Sequence, residues 1–435
     1  MHGVHTLWRT LLEQGHIYLG KHEGWYAVSD EAFYPESQVR RIEGAPEGAP
    51  QYEAIESGQP VEWMAEENYK FRLSHFQEAL VRWLEENPDV IQPRSVHERV
   101  LDEVRAGVPD LSISRPSARL HWGVEVPGDK SQTIYVWMDA LTNYLTALGY
   151  PWGGGAADAT KAGWPADVHV VGKDIVRFHT VYWPAFLMAA GLPLPRHIVA
   201  HAHWTVQRTK MSKSKGNSVN PFEAIDTYGV DALRFFLMRV GGNIGQDADY
   251  SPTVLLEFQR KYLQGQLGNL LSRILAPKIQ ARVARGSGER LVPPAPAAED
   301  GALLQALHRL PATVDAHMRR FELAKALAAV FEVIGLANER LQHAAPWSAD
   351  TPDAAVARCV YQTVETLRVC GVLLQAYMPR SMARLLDVLA VPPAERKWEH
   401  IVSPEGAALR DAVPLHTTGE KIAPLFPRLT VAKEV

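Results

Sequence analysis

The chain has 435 residues, of which 46% are hydrophobic and 22% are charged, a composition typical of globular domains and a length that allows two or three of them. Its 45 basic and 49 acidic residues give a net charge of −4, which argues against a protein that coats nucleic acid but allows local RNA-binding patches. The two cysteines, Cys359 and Cys370, are too few for a disulfide framework or a four-cysteine zinc site within the chain, and no apolar run is long enough to span a membrane.

The N-terminal part of the sequence predicts short mixed elements. A helix is predicted over residues 5–14 and a small hairpin over 15–28, where residues 15–20 and 24–28 alternate between apolar and polar. Two amphipathic helices follow over residues 73–105, separated by breaks at Pro88 and Pro93.

Strand-like apolar runs then alternate with helices. The runs lie at residues 134–137, 168–172 and 198–204, and a helix is predicted from 176 to 190. Such alternation predicts a parallel α/β sheet, in which ligands bind at the carboxyl ends of the strands. The segments Gly172-Lys173-Asp174 and His201-Ala202-His203 are therefore expected at a ligand site.

A lysine-rich segment, Lys210-Met211-Ser212-Lys213-Ser214, comes directly after the last strand. Ammonium groups are compact charges that suit phosphate, and hydroxyl and backbone N–H groups add neutral donors. The alternative interpretation is a solvated turn with incidental charge.

Helical periodicity dominates after Pro252. Apolar residues recur with a period near 3.6 over residues 254–274, 323–341 and 356–374, and Asp300 is predicted to cap the helix that follows it. This pattern predicts an all-α bundle.

These segments together resemble the methionyl-tRNA synthetases, class I aminoacyl-tRNA synthetases, in their bacterial and mitochondrial form. The resemblance runs from near residue 5 to near residue 390, and KMSKS at 210–214 is the second signature of the class. The segments more particular to methionine are 135–141, with Trp137, and 175–183. Further matching stretches lie at 24–26, 67–74, 110–116, 203–204, 268–273 and 345–347.

The resemblance implies a fold that is α/β plus all-α: part of a Rossmann-like catalytic domain with a connective insertion, then a helical anticodon-binding bundle. The implied divisions are 1–115 for the connective-peptide region, 116–205 for the second half of the catalytic domain, 206–252 for the KMSKS loop and stem-contact region, and 253–435 for the anticodon-binding domain.

The implied reaction is ATP-dependent activation of methionine to methionyl-adenylate and its transfer to tRNA(Met), with ATP supplied together with Mg²⁺. By the same resemblance, Lys210 and Lys213 are the catalytic cations, and the ATP-binding residues are Lys213, Gly172, Asp174 and His201. The implied methionine-binding residues are Trp137, Ala140, Leu141, Tyr144, Ile175, His179 and Trp183. The implied anticodon readers are Asn269, Arg273 and Trp347.

Spacing supports two of these groups. Ile175, His179 and Trp183 are four residues apart, which places them on one face of an α-helix, and Asn269 and Arg273 are one helical turn apart. Without the resemblance, an isolated Trp or His in a helix is more often a core packing residue than a ligand contact. Asn269 and Arg273 would then be read equally well as an ordinary pair on a helix surface.

Two family features are missing from the sequence. The HIGH motif is absent, so we expect the chain to begin inside a larger gene product and to be severely impaired in adenylation. Where zinc-bearing relatives have cysteines, this chain has Ala27 and Asp30, so no structural zinc is expected.

Three alternatives stay open at this point. The chain is a methionine–tRNA ligase, a truncated and catalytically impaired tRNA-binding paralogue or fragment, or another class I synthetase such as the leucyl or valyl enzyme, whose large editing insertion has no room here. The branch resemblance indicates the mitochondrial matrix, with the cytoplasm as the alternative.

Overall fold

The computed structural model describes residues 1–29, 32–34, 36–46, 48, 51–55, 57–153, 156–211, 216–287, 290–293, 298–404, 406–414 and 423–428. The chain divides into two compact units, Met1–Ala200 and His201–Val435, called here the N-terminal unit and the C-terminal unit. No helix within these described ranges combines the length and the hydropathy needed to cross a bilayer.

The N-terminal unit mixes helices with short and long strands. Its helices are α1 (His2–Glu13), α2 (Gln77–Glu86), α3 (Arg94–Ala106), α4 (Val136–Thr146), α5 (Ala156–Lys161) and α6 (Trp183–Ala189). The strands up to its boundary are β1 (Ile17–Ala27), β2 (Ala32–Tyr34), β3 (Val39–Arg41), β4 (Tyr52–Ala54), β5 (Pro60–Phe71), β6 (Ile91–Gln92), β7 (Leu111–Ser112), β8 (Ser114–Pro116), β9 (Glu125–Val126), β10 (Asp129–Ile134), β11 (His169–Gly172) and β12 (Ile198–His201).

The small hairpin predicted over residues 15–28 is wrong, because these residues form the single long strand β1. It pairs antiparallel with β5 along most of its length, in a sheet of order β2-β1-β5-β4-β3 with β7 beside β5. Gly20 and Gly24 do not turn the chain. A Cβ at Gly20 would lie 3.0 Å from the Tyr18 ring and one at Gly24 would lie 3.2 Å from the Phe33 ring, so these glycines make room for aromatic side chains that cover the strand.

The predicted parallel pairing is present between β12 and β6, in a sheet of order β11-β12-β6. The first predicted strand, 134–137, is wrong beyond Ile134. Ile134 ends β10, which belongs to an antiparallel sheet of order β8-β10-β9, and the chain enters α4 at Val136. A four-residue apolar run cannot by itself distinguish a strand from the first turn of a buried helix.

The core of the N-terminal unit begins with α1. Leu7, Trp8 and Leu11 are completely buried on one face of this helix. A Cβ at Gly3 would lie 2.7 Å from the Thr146 hydroxyl, so a glycine is needed for α1 to approach α4 this closely. Each fully buried leucine of this kind contributes roughly 1.5–3 kcal/mol.

The C-terminal unit is mainly helical. Its helices are α7 (Pro221–Tyr228), α8 (Val230–Gly241), α9 (Pro252–Phe258), α10 (Asn269–Ile274), α11 (Pro277–Ser287), α12 (Gly301–Arg319), α13 (Leu323–Ala344), α14 (Asp353–Leu374) and α15 (Pro379–Val388). Its strands are β13 (Trp204–Val206), β14 (Thr209–Lys210), β15 (Ala248–Asp249), β16 (Arg290–Leu291), β17 (Val402–Ser403), β18 (Gly406–Ala407) and β19 (Val413–Pro414). A π-helix at Gln259–Gly268 joins α9 to α10.

Helix α14 lies at the centre of this bundle, and it is buried on all sides between Cys359 and Leu374. It carries a charge cluster in the core: the Glu365 carboxylate accepts hydrogen bonds from Arg368 at 3.0 Å and from the Arg410 side chain at 2.7 Å. Glu365 is 0% exposed. Its negative charge is therefore the compensation for two arginines held in the protein interior.

Asp300 is the N-cap residue of α12, as predicted, but its side chain makes no capping hydrogen bond to the helix. Its buried carboxylate lies 2.8 Å from the Arg340 guanidinium and 3.5 Å from that of Arg358. The tertiary ion pairs therefore use the carboxylate that the local sequence pattern assigns to the helix end.

The buried charge cluster predicts a large cost for one isosteric change. Glu365→Gln leaves the buried Arg368 and the partly buried Arg410 without their counter-charge and should lower the free energy of unfolding by about 3–5 kcal/mol in urea titrations. Glu299→Gln is the matched control, because Glu299 also pairs with an arginine, Arg358 at 2.9 Å, but its side chain is 55% exposed. The control variant should lower the free energy of unfolding by no more than about 1 kcal/mol. Equal losses for the two variants would contradict the prediction.

Candidate functional site

An aromatic cluster in the N-terminal unit brings together three of the predicted methionine-binding residues. The Tyr144 hydroxyl, on α4, lies 2.8 Å from Nε2 of His179. The Trp183 ring, at the start of α6, lies 6.2 Å from the Tyr144 ring. The predicted proximity of these side chains is thus present, and it depends on α4 packing against the segment that follows β11.

The hydrogen-bond direction inside the cluster follows from the partners of His179. Its Nδ1 lies 2.9 Å from the carbonyl oxygen of Ile175. A carbonyl can only accept, so Nδ1 carries the hydrogen and Nε2 of the neutral ring accepts from the Tyr144 hydroxyl. Burial lowers the pKa of His179, although the hydrogen bond to Ile175 opposes this effect, which favours the neutral ring.

Backbone geometry places these residues differently from a regular α-helix. The chain makes a 3-10 turn at Lys173–Ile175 and a π-helical turn at Phe178–Tyr182 before α6 begins. The helix predicted over 176–190 is therefore present in outline, with a π-turn in its first half. Such turns are rare and are frequent at functional sites.

Trp137 makes a contact that the spacing argument did not anticipate. Its ring stacks on Phe178, with centroids 3.6 Å apart and planes within 15°. Phe178 was missed because it lies outside the row of residues spaced by four, although an aromatic side chain next to His179 is a usable signal. Trp137 is half-buried and Ala140 is exposed, whereas Leu141 and Trp183 are buried in the core.

His169 is a second residue that the sequence reasoning missed. It begins β11, is 5% exposed, and its ring lies 4.4 Å from that of Tyr144. Its buried Nε2 has no hydrogen-bond partner. Burial, together with the nearby His179, lowers the pKa of His169 to about 4, so the ring is neutral at pH 7. The alternation of buried His169, exposed Val170 and buried Val171 is the signal that identifies its inward position.

The predicted ATP-binding residues lie at strand ends. Gly172 ends β11, and the exposed Asp174 follows it in the 3-10 turn. His201 ends β12, and its Nδ1 lies 2.9 Å from the carbonyl oxygen of Ala202.

The lysine-rich segment begins at a tight hairpin. Strands β13 and β14 are joined by Gln207 and Arg208, which both have positive φ, 52° and 61°. The Asp249 carboxylate accepts from the Arg208 N–H at 2.9 Å and from the Thr205 hydroxyl at 2.6 Å, which holds the turn. Lys210 ends β14, and Lys213 lies outside the described residues.

The predicted anticodon readers lie together in the C-terminal unit. Asn269 and Arg273 are both on α10, and Asn269 is exposed. The Arg273 guanidinium lies 4.4 Å above the centre of the Trp347 ring and donates to the Gln342 side chain at 2.8 Å. Trp347 is 36% exposed, so part of its ring stays open to a ligand.

In the part of the chain that the structure describes, no three His, Cys, Asp or Glu side chains are grouped so that they could hold a metal ion. Both cysteines are buried in α14, far along the chain from Ala27 at the end of β1.

Comparison with known families identifies both parts of the chain. Residues 1–275 match the family model described as "tRNA synthetases class I (M)", and residues 292–420 match "Anticodon binding domain of methionyl tRNA ligase". The chain is 43% identical over 415 residues to a probable mitochondrial methionine–tRNA ligase of Neurospora crassa, covering 91% of this chain and 65% of the relative.

Animal and bacterial relatives are similar to the same degree. The chain is 43% identical over 407 residues to the mitochondrial methionine–tRNA ligase of Homo sapiens, covering 90% of this chain and 68% of the relative. It is 40% identical over 432 residues to the methionine–tRNA ligase of Brucella suis, covering 99% of this chain and 79% of the relative. The chain thus spans about two thirds of the fungal and human relatives and about four fifths of the bacterial one.

Solved structures agree with these matches. The methionyl-tRNA synthetase of Mycobacterium tuberculosis bound by methionyl-adenylate superposes with a TM-score of 0.84 at 36% identity, covering 98% of this chain and 80% of that one. The apo form of that synthetase superposes with a TM-score of 0.83 at 35% identity, covering 99% of this chain and 81% of that one. The predicted fold class, a class I catalytic domain followed by a helical anticodon-binding domain, is confirmed. The chain belongs to the methionyl-tRNA synthetase family of class I aminoacyl-tRNA ligases.

Proposed function

We propose that this protein is a methionine–tRNA ligase, whose reaction activates methionine with ATP to form methionyl-adenylate and transfers the methionyl group to tRNA(Met). For the 435-residue chain itself, which lacks the HIGH motif, we propose that adenylation is severely impaired. The observation that carries the ligase proposal is the presence, in one chain of this family, of two recognition elements: the Tyr144–His179 pair within an aromatic cluster, and the Arg273–Trp347 stack beside Asn269. The first suits a thioether side chain, and the second suits an unpaired RNA base.

Methionine recognition needs an apolar wall with a small number of oriented polar groups. Thioether sulfur packs favourably against aromatic rings, and Trp137, Tyr144 and Trp183 supply such rings. The Tyr144–His179 hydrogen bond holds the phenol oxygen at a defined place in this wall. Because the phenol hydrogen is donated to His179, the Tyr144 hydroxyl does not donate to sulfur, and the preference for a thioether over an isosteric hydrocarbon is proposed to come from sulfur contacts with the fixed ring. Ala140, Leu141 and Ile175 complete the proposed pocket.

ATP binding is proposed at the strand ends and the lysine-rich segment. Adenylate formation places negative charge on the α-phosphate and on the leaving pyrophosphate, and fixed cations stabilise that charge. Lys210 and Lys213 are the proposed cations, and Gly172, Asp174 and His201 are the proposed contacts of the nucleotide. Mg²⁺ enters with the triphosphate and is held mainly by phosphate oxygens. The region of strand β1, where zinc-bearing relatives have cysteines, is proposed to fold without structural zinc.

Anticodon recognition is proposed for Asn269, Arg273 and Trp347. Single-stranded RNA bases are recognised by stacking on aromatic rings and guanidinium planes and by hydrogen bonds to their edges. The half-open Trp347 ring offers a stacking face, and the exposed Asn269 amide on the same helix as Arg273 offers edge contacts. We assign residues 253–435 to this role, residues 206–252 to the KMSKS loop and stem contacts, residues 116–205 to the catalytic sheet, and residues 1–115 to the connective region.

The mitochondrial matrix is the proposed location, because the fungal and human relatives are named mitochondrial enzymes. The cytoplasm is the alternative, since a Brucella suis methionine–tRNA ligase is similar over nearly the whole chain.

Two measurements test the proposed function. Methionine-dependent ATP–pyrophosphate exchange reports activation, and filter binding of tRNA(Met) reports recognition. Exchange together with binding supports the ligase activity in this polypeptide. Binding without exchange agrees with impaired adenylation and leaves the tRNA-binding alternative, whereas methionine-dependent exchange at a normal rate would contradict the impairment. Loss of both binding and exchange would contradict the proposed function.

The first prediction for the methionine wall concerns the Tyr144 hydroxyl. Tyr144→Phe keeps the ring but leaves Nε2 of His179 buried without its donor, a loss of about 1–3 kcal/mol. This loss applies to the folded protein with or without methionine, but the ring is then no longer held in its orientation in the wall. We therefore expect methionine affinity to fall roughly 10-fold and the preference for methionine over norleucine to narrow, as measured by calorimetric titration. Tyr69→Phe is the control, because it removes a hydroxyl bonded to Asp129 at 3.2 Å in the same unit. If Tyr144→Phe kept the wild-type ratio of affinities for methionine and norleucine, this would contradict the proposed role of Tyr144 in methionine recognition.

The second prediction concerns pH. The pKa of His169 is lowered from 6.5 to about 4 in the folded protein, so between these values the unfolded chain binds a proton that the native state does not. The free energy of unfolding should therefore fall as the pH is lowered from about 6.5 to about 4, by up to about 3 kcal/mol from this residue, and His169 should cause no further fall below that range. Urea titrations of the wild type and His169→Gln at several pH values measure the difference. Parallel pH profiles for the two proteins would contradict it.

The third prediction concerns the anticodon. Trp347→Ala removes a stacking platform worth about 1–3 kcal/mol per base, so tRNA(Met) should bind roughly 10-fold more weakly. Stacking by itself accepts any base, but the ring is proposed to hold the base against the edge contacts of Asn269 and Arg273. The preference for a CAU anticodon over an altered one should therefore fall as well, as measured by filter binding. Trp398→Ala is the matched control, since Trp398 is a 43% exposed tryptophan of the same unit. If Trp347→Ala and Trp398→Ala lowered the affinity by the same factor, and did so for both tRNAs, the proposed role of Trp347 would be contradicted.

A further inference from the structure

A single buried arginine holds the loop that carries Trp347. This loop connects the end of α13 at Ala344 to the start of α14 at Asp353. Arg282, on α11, donates from Nη1 to the carbonyl oxygens of Pro346, at 2.8 Å, and Ser348, at 2.5 Å. Its Nη2 donates to the carbonyl oxygen of Thr351.

The same guanidinium also binds the end of the loop. Arg282 Nε donates to the Asp353 carboxylate at 2.8 Å, and Arg285 donates to the other oxygen of that carboxylate at 2.9 Å. The hydrogen bonds from Arg282, followed by those from Arg285, lower the pKa of Asp353. The loop is thus bonded at three backbone carbonyls and at the first residue of α14.

The geometry turns the loop backbone inward and leaves Trp347 outward. Arg282 is 7% exposed, so its donors are directed at the loop rather than at solvent. The carbonyls on either side of Trp347, those of Pro346 and Ser348, both accept from Nη1 of this arginine. Because the backbone is held on both sides of Trp347, the direction of its side chain is restricted.

We propose that Arg282 is a positioning residue for tRNA recognition, which holds the loop backbone so that the Trp347 ring meets an anticodon base. This inference rests on the proposed role of Trp347 in anticodon reading. Arg282 acts through Trp347 and makes no contact with the RNA itself. The planar guanidinium is required, because its donors reach several acceptors at once in fixed directions, whereas an ammonium is a point charge.

A purely structural role for Arg282 predicts a different result from a positioning role. Loss of a buried arginine lowers the free energy of unfolding in either case. Only a positioning role changes how strongly the folded protein prefers a CAU anticodon over an altered one. The ratio of the two dissociation constants is independent of the folded fraction, so it separates the two roles.

The test compares Arg282→Gln and Arg282→Lys with a matched control, Arg368→Gln. Arg368 is also a buried arginine of the C-terminal unit that donates to loop carbonyls, those of His400 and Ala408, but its loop does not contain Trp347. Filter binding is measured with tRNA(Met) bearing CAU and with the same tRNA bearing an altered anticodon. Both Arg282 variants should lose roughly 10-fold of the CAU preference, because a displaced Trp347 ring no longer holds the base against the edge contacts of Asn269 and Arg273. Arg368→Gln should lose stability and keep the preference.

A double-mutant cycle identifies the route of the effect. If Arg282 acts through Trp347, then Arg282→Gln should change the CAU preference no further in a Trp347→Ala background. An Arg282→Gln protein that is folded and keeps the wild-type preference would overturn the inference while leaving the anticodon role of Trp347 intact. If Trp347→Ala itself keeps the preference, the proposed function of Trp347 fails, and the inference fails with it.

If Arg282→Gln and Arg282→Lys do not fold, a variant of the partner carboxylate tests the inference. Asp353→Asn leaves Arg282 in place but removes the charge that orients its guanidinium. The inference requires this variant to lose part of the CAU preference, and an unchanged ratio would overturn it.

Discussion

Most buried polar side chains find hydrogen-bond partners inside the protein, because an unpaired one is costly, and this constraint shapes both units. In the N-terminal unit, the Ile175 carbonyl takes the hydrogen of His179 Nδ1, which leaves Nε2 to accept from the Tyr144 hydroxyl. The orientation of the phenol therefore depends on a backbone carbonyl in the segment after β11. A site that discriminates between side chains of equal size needs such fixed polar groups, because apolar packing alone separates isosteres poorly.

In the C-terminal unit the same constraint acts through arginines. Arg368 and Arg410 converge on Glu365 within the core, and Arg340 and Arg358 converge on Asp300. Arg282 differs because most of its partners are backbone carbonyls of one loop. A charged group that is bonded to carbonyls orders a segment that has no regular hydrogen-bond pattern of its own. The exposed recognition surface thus depends on an arginine that is itself buried.

Periodic segments and rare motifs could be predicted from the sequence, because both depend on residues that are close together along the chain. Amphipathic spacing identified α2, α3 and α13, because one buried face imposes a period near 3.6. The same period of apolar residues identified α14, although this helix is buried on all sides from Cys359 to Leu374. The two glycines of β1 misled the prediction, because a glycine that makes room for a neighbouring ring looks the same in sequence as one in a turn. His169 and Phe178 were missed, because neither lies in the spacing pattern and only packing brings them to Tyr144 and Trp137.

The sequence by itself determined the family and the kinds of side chain available for recognition, because motif order and residue chemistry are properties of the chain alone. It also determined that Asn269 and Arg273 share a helix, since their spacing is that of one turn. Only the tertiary structure decided which way the Tyr144–His179 hydrogen bond runs, and that the carboxylate of the N-cap residue Asp300 binds arginines and not the first turn of α12. It also decided that Arg282, 65 residues before Trp347, bonds the carbonyls on both sides of that residue. These outcomes depend on partners distant in sequence, whose approach is set by the packing of helices and not by any local pattern.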